Sequence, residues 1–174
     1  LPLDPAEYTP GTDRPIEAML RWGVGEISRS KILIGLSAMS VRQIGSAFTS
    51  TGYTEALAAL GDVTLETETT EAGTIPPGTE IQARLNGSNA VSGNDTTIQS
   101  PFVDFLGQDG NPISRVWLTT PEAVRFRMDR TVPFGLGGVA FYDLLSDGIA
   151  GGVLQTILNY KVQLPAAPSD SELA

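Results

Sequence analysis

The sequence contains no histidine and no cysteine. That excludes imidazole general bases, thiolate nucleophiles, imidazole or thiolate zinc sites, and disulfides. Any chemistry has to come from carboxylates, hydroxyls, tyrosine, lysine or arginine. Charge is also scarce, at 18% of residues, where an average domain has about a quarter. Positive charge is the scarcer sign: 11 Lys and Arg face 20 Asp and Glu, for a formal net charge of -9. Such a surface repels phosphate backbones and anionic lipid, so neither nucleic acid nor a membrane surface is an expected partner. No apolar run approaches the roughly 18 residues of a membrane span, and membrane insertion is not expected. The first residue is Leu, with no basic and apolar leader behind it. The abrupt opening Leu1-Pro2-Leu3-Asp4-Pro5 and the polar, Pro-rich close from Pro165 to Glu172 suggest a piece of a larger polypeptide, with 163–174 as a linker or tail. A mature product of processing is the alternative. Thr, Ser, Gly and Pro are plentiful, which suits an extracellular or cell-surface protein.

The length of 174 residues allows one domain, or a domain with a small subdomain. Pro15, with Asp13 as a cap, opens a helix over 15–27, whose apolar stripe is Ile16, Met19, Leu20, Val24 and Ile27. Lys31 to Leu36 is a short continuous apolar run, expected as a strand buried on both faces. Residues 53–61 read as a short helix. The middle then alternates: Val63 to Thr69, Glu80 to Leu85, Pro101 to Leu106 and Ile113 to Leu118 read as strands. Ile75-Pro76-Pro77-Gly78 reads as a turn, Asn86 to Asn94 as an exposed polar loop, and Asp109-Gly110 as a hairpin turn. Thr120 caps a further helix, with Pro121 in its first turn, Val124, Met128 and Val132 as its stripe, and Gly135 as its stop. Gly137 to Tyr142 is expected as a second buried strand. Asp147-Gly148 starts a last helix with Ile149, Val153, Leu154, Ile157 and Leu158 inward. Two buried strands with crossover helices cannot close a sheet, so the α/β part reads as a slice of something larger, with an antiparallel insert mounted on it.

Three stretches carry a resemblance. Ala18 to Met39 looks like the sixth helix and seventh strand of family 18 glycoside hydrolases. Ser100 to Val132, with Ser100-Pro101-Phe102, the Asp109-Gly110 hairpin and Arg115-Val116-Trp117, is similar to the end of that family's insertion and its seventh helix. Gly135 to Tyr142 resembles the eighth strand. The bacterial, spore-coat-type branch looks nearest. The resemblance implies an α/β chain, the carboxyl-terminal portion of a (β/α)8 barrel with a small antiparallel α+β insertion. It divides the chain into a barrel portion at 1–45, an insertion at 46–118, and a second barrel portion at 119–162.

The family acts on chitin, peptidoglycan or related N-acetylhexosamine polymers, and its catalytic glutamic acid lies on the fourth strand. Nothing in this chain matches that motif. The resemblance therefore implies a part that binds glycan and is not active alone, whose partners are the polysaccharide and a preceding segment, or another chain, that completes the barrel. Barrel sites sit at the carboxyl ends of the strands. Here those ends carry Ser37-Ala38-Met39 and Tyr142-Asp143, so Tyr142, Met39 and Asp143 are the candidate glycan contacts. The family's usual Trp is replaced by Tyr142, which stacks on a sugar with less area. The missing aromatic at Ser37-Ala38-Met39 keeps open a degenerate barrel serving as a structural or assembly module of a bacterial surface protein. An unrelated, complete α+β binding domain is a third reading.

Plainer roles compete at each position: packing for Tyr142, Trp117 and Trp22, helix caps for Asp143 and Asp147, and a solvated helix face for Arg125, Arg127 and Arg130. Asp104, Asp109 and Asp143 show no spacing that pairs them. Glu66, Glu68 and Glu71 alternate along a strand without an EF-hand loop, so no metal or cofactor is expected. Asn86-Gly87-Ser88 and Asn94-Asp95-Thr96 are glycosylation sequons in the loop expected to be exposed.

Overall fold

The computed structural model describes residues 4–67, 81–86 and 89–163. The expected turn at 75–78, the glutamates 68 and 71 and the tail beyond 163 lie outside the described residues. So do the side chains of 62–67 and 81–86.

The two short apolar runs pair with each other. β1 (Leu33–Ser37) lies parallel to β9 (Gly138–Tyr142), in register from Leu33 opposite Gly138 to Ser37 opposite Tyr142. A parallel pair needs a crossover, and helices supply its cover. α1 (Pro15–Glu26), α3 (Pro121–Asp129) and α4 (Val153–Gln163) bring Ile16, Leu20, Val124, Met128, Val153 and Tyr160 into one core with Ile34 and Leu36. The pleat sends alternate residues to the other face. There Leu33 and Tyr142 are each 64% exposed, and Gly35 and Ala140 are exposed between them. Burial on both faces, expected from the apolar runs, is thus corrected to burial on one. Among the described residues no second layer covers the other face.

The helices follow their local signals with several shifts. α1 begins at Pro15, but the residue before it is Arg14, and Asp13 is not its cap. Ile16 and Leu20 are buried, whereas Met19 and Ile27 are exposed. Trp22 is 66% exposed, which corrects its expected packing role. Thr120 caps α3 as expected, its Oγ1 accepting from the Ala123 N–H at 3.3 Å, with Pro121 at the first position. α3 ends at Asp129. A separate 3-10 turn, Val132–Phe134, follows, and Gly135 closes it in the left-handed region (φ 57°), so Val132 is exposed. α4 starts only at Val153, so Asp143 and Asp147 do not cap it. Leu154 and Leu158 are exposed.

The middle of the chain builds a five-stranded antiparallel sheet in the order β3-β2-β8-β7-β6. Its strands are β2 (Ser40–Ile44), β3 (Ala47–Thr51), β6 (Ala90–Asp95), β7 (Ser100–Leu106) and β8 (Pro112–Trp117). β7 and β8 match the expected strands, and Gly110 takes a positive φ of 76° in the loop between them. The β2–β3 hairpin lies where the sequence reading places no strand. Ile44 pairs with Ala47, leaving Gly45-Ser46 as a two-residue loop with Gly45 at φ 57°, the glycine-first arrangement of tight hairpins. The boundary expected at 45/46 falls inside this loop. β6 occupies most of the stretch expected to be a loop, and Asn94 is exposed on it. α2 (Tyr53–Ala58) packs Ala56 against Val103, Val116 and Leu118. β4 (Asp62–Thr67) and β5 (Ile81–Asn86) form a separate antiparallel ladder, on the segments expected to be strands.

Candidate functional site at the carboxyl ends of β1 and β9

Tyr142, Met39 and Asp143 stand at or just past the carboxyl ends of the parallel pair. Tyr142 is the last residue of β9, and its carbonyl accepts from the Ala38 N–H at 3.2 Å, one step past the end of β1. Its ring does not enter the core. It lies back across the open face over Gly35, where a Cβ would stand 2.5 Å from Tyr142 Cε2. Asp143 is exposed and sits in the left-handed region at φ 59°, a conformation Asp tolerates better than most residues. Its carbonyl accepts from the Ser146 N–H at 3.1 Å, so the chain turns sharply away from the strand end.

Met39 is half-buried and tied down through its backbone. Its N–H donates to Ser37 Oγ at 3.1 Å, and its carbonyl accepts from Thr119 Oγ1 at 2.8 Å. Thr119 is fully buried. Its N–H donates to Ser40 Oγ at 3.1 Å, and its hydroxyl accepts from Arg127 Nη1 at 3.3 Å. This polar seam links α3, the end of β8 and the β1–β2 connection. On the far side the loop after β9 closes on α2: the Tyr53 N–H donates to the Gly148 carbonyl, and a Cβ on Gly148 would lie 3.4 Å from Met39 Cε. The Tyr142 ring thus lies on the open face toward Gly35, the Met39 side chain meets Gly148, and Asp143 is exposed at the turn. An exposed tyrosine ring can stack on a sugar face, and a carboxylate can accept from sugar hydroxyls. Among the described residues no group of three or more carboxylates is placed to hold a metal ion, and no helix is long and apolar enough to cross a membrane.

One charged residue behaves differently from its sequence reading. Arg127, expected on a solvated helix face, is 5% exposed. Burial holds its guanidinium below the usual arginine range, its Cζ stands 5.4 Å from the Tyr8 ring centre, and Nη2 has no acceptor. Asp104 is bound by an arginine rather than by a second carboxylate. Arg115 donates to it from Nε at 2.6 Å and from the second nitrogen at 2.7 Å, a bidentate contact that raises the Arg115 pKa. The same guanidinium lies 4.1 Å from the Phe102 ring centre and 5.0 Å from that of Trp117, which is buried as expected. The signal was in the sequence. Asp104 and Arg115 stand five residues either side of Asp109-Gly110, and in the ladder they face each other.

No protein-family model matches the chain, and no curated protein matches it in sequence. Solved structures do match. A chitinase from Chromobacterium violaceum superposes with a TM-score of 0.53 at 19% identity, over 93% of this chain and 43% of that one. A glycoside hydrolase family 18 N-acetylglucosaminidase from Paenibacillus barengoltzii superposes with a TM-score of 0.50 at 15% identity, over 83% of this chain and 38% of that one. The chain thus spans less than half the length of either structure. The resemblance to family 18 glycoside hydrolases that Ala18 to Met39, Ser100 to Val132 and Gly135 to Tyr142 carry is borne out as a likeness of fold to part of those enzymes.

Proposed function

We propose that this chain is the carboxyl-terminal portion of a family 18-like barrel domain that binds an N-acetylhexosamine polymer at the cell surface or outside the cell. In this reading 1–45 and 119–162 are the barrel portions, 46–118 is the insertion, and Tyr142, Met39 and Asp143 contact the glycan. The catalytic acid is absent from this chain, so it does not hydrolyse glycans alone. The observation that carries the reading is the bare face of the two-stranded parallel pair. Three helices cover one side, while Leu33 and Tyr142 stand 64% exposed on the other. A preceding segment or another chain that completes the barrel would cover Leu33 and leave Tyr142 at the mouth. The exposed Met19 and Trp22 of α1 would meet that same segment.

The test has two parts. The chain is prepared alone and together with the upstream segment of its natural polypeptide, and each is titrated with N-acetylglucosamine oligosaccharides. The reading expects tighter binding by the completed form, loss in Tyr142→Ala, and no cleavage by the chain alone. Equal binding by Tyr142→Ala removes Tyr142 from the site. A folded, monomeric chain whose stability the upstream segment does not change removes the barrel. The lack of an aromatic at Ser37-Ala38-Met39 favours the second reading, a non-catalytic assembly module of a bacterial surface protein. Its signature is barrel completion without any oligosaccharide binding.

A further inference from the structure

The opposite end of the parallel pair carries a cleft. About 450 Å³ in volume, it opens where the chain enters β1 and β9, lined by Glu17, Arg21 and Val24 of α1, then Arg29, Arg130, Pro133 and Phe134. Three of the chain's 11 cationic residues line it, in a protein whose net charge is -9. Glu17 offsets one of them. Its Oε1 accepts from Arg21 at 2.7 Å and its Oε2 from the Gly11 N–H at 3.2 Å, so both oxygens are engaged. The other two guanidiniums have no carboxylate in hydrogen-bonding contact, although the charge of Arg130 also acts on Glu17. Within the described residues neither Arg29 nor Arg130 makes a salt bridge, and the buried Arg130 Nε has no acceptor. Arg21 and Arg130 are braced against rings, at 5.9 Å from the Phe134 centre and 5.5 Å from the Phe126 centre, which limits their freedom to swing into solvent.

We infer that this cleft binds a small oxyanion, a phosphate or carboxylate group of a small molecule, with Arg29 and Arg130 as its donors and Val24, Pro133 and Phe134 against its apolar part. Guanidinium forks match both groups in geometry, and two cations without a direct carboxylate partner beside an apolar wall hold an anion more firmly than scattered surface charges do. The site is independent of the glycan reading. It lies at the amino ends of β1 and β9, whereas Met39, Tyr142 and Asp143 lie at their carboxyl ends.

The test is a titration of the whole chain with inorganic phosphate and, separately, with succinate, at ionic strength held constant with sodium chloride. Saturable binding of one of them is expected, and the tighter of the two assigns the group as phosphate or carboxylate. Arg29→Gln and Arg130→Gln should each weaken binding about tenfold or more, the loss of a charge-assisted hydrogen bond. Arg29 is exposed and outside the core, so its variant reports on binding even if Arg130→Gln loosens the end of α3. Arg125→Gln, on the outer face of the same helix, should bind as the parent does. Absence of saturable binding by both anions, or equal weakening in Arg125→Gln, overturns the inference.

Discussion

The ring of Tyr142 rests on Gly35, two residues before Tyr142's own partner, Ser37, on the neighbouring strand. A side chain at 35 would take the space the ring occupies. Because the ring is exposed, it can swing away at little cost. Gly35→Ala should therefore change stability by less than about 1 kcal/mol, measured by chemical denaturation, yet move the ring off the open face. If this face binds sugar by stacking, Gly35→Ala should weaken oligosaccharide binding about as much as Tyr142→Ala does. Unchanged binding in Gly35→Ala would show that the placement of the ring is incidental.

Gly137 presents the opposite case. Its N–H donates to the carbonyls of Arg29 and Ile32, at 2.9 and 3.0 Å, pinning the start of β9 to the approach of β1. A Cβ there would run into the Ser30 carbonyl, which is backbone and cannot rotate aside. Gly137→Ala should cost about 2 kcal/mol or more by denaturant unfolding, as overpacking against fixed atoms does. A loss under half of that would mean the two approaches are free to separate.

Arg127 is a buried cation held by one long hydrogen bond to Thr119 and by no carboxylate among the described residues. Desolvating a guanidinium is costly, and a single neutral acceptor does not offset it. Arg127→Met fills similar space without the charge, so it should be neutral or raise stability by about 1 kcal/mol. Arg127→Ala leaves a cavity and should lose about 2 kcal/mol. A loss in Arg127→Met as large as in Arg127→Ala would show that the charge itself is needed.

Much of this fold is legible in the sequence because its signals are local. Pro121 after Thr120, Asp109-Gly110 between alternating segments, and the two runs ending in Leu36 and Tyr142 each fix an element through short-range chemistry. The misreadings have a common physical cause: burial depends on what packs against an element. Leu33 and Ile34 look equally apolar, and only the position of the helices decides which is covered. Arg127 looks like its neighbours Arg125 and Arg130 until α3 is seen to press it toward Tyr8. The β2–β3 hairpin escaped because Arg42 and Gln43 interrupt its apolar pattern, although Gly45-Ser46 offered a turn. The candidate site was legible as strand ends, but the backward lie of Tyr142 over Gly35 was not. That depends on a residue with no side chain, on the partner strand.

Two tyrosines should make the fold sensitive to alkali. Burial raises the Tyr8 phenol above its ordinary value. Burial also raises Tyr160, helped by its hydrogen bond to Asp129 Oδ1 at 2.9 Å and by that carboxylate's charge. The unfolded value is about 10. A group raised on folding contributes stability that is complete below its unfolded pKa and is lost as pH rises through the folded one. Thermal midpoints should therefore be flat on this account up to pH about 9 and fall above about 10. The background is favourable to the measurement, since Lys31 and Lys161 are the chain's two lysines. Tyr160→Phe should lower the midpoint at neutral pH, because Asp129 loses its donor. The combined Tyr8→Phe and Tyr160→Phe variant should then decline less steeply between pH 10 and 12 than the parent, and an identical decline would place the alkaline sensitivity elsewhere.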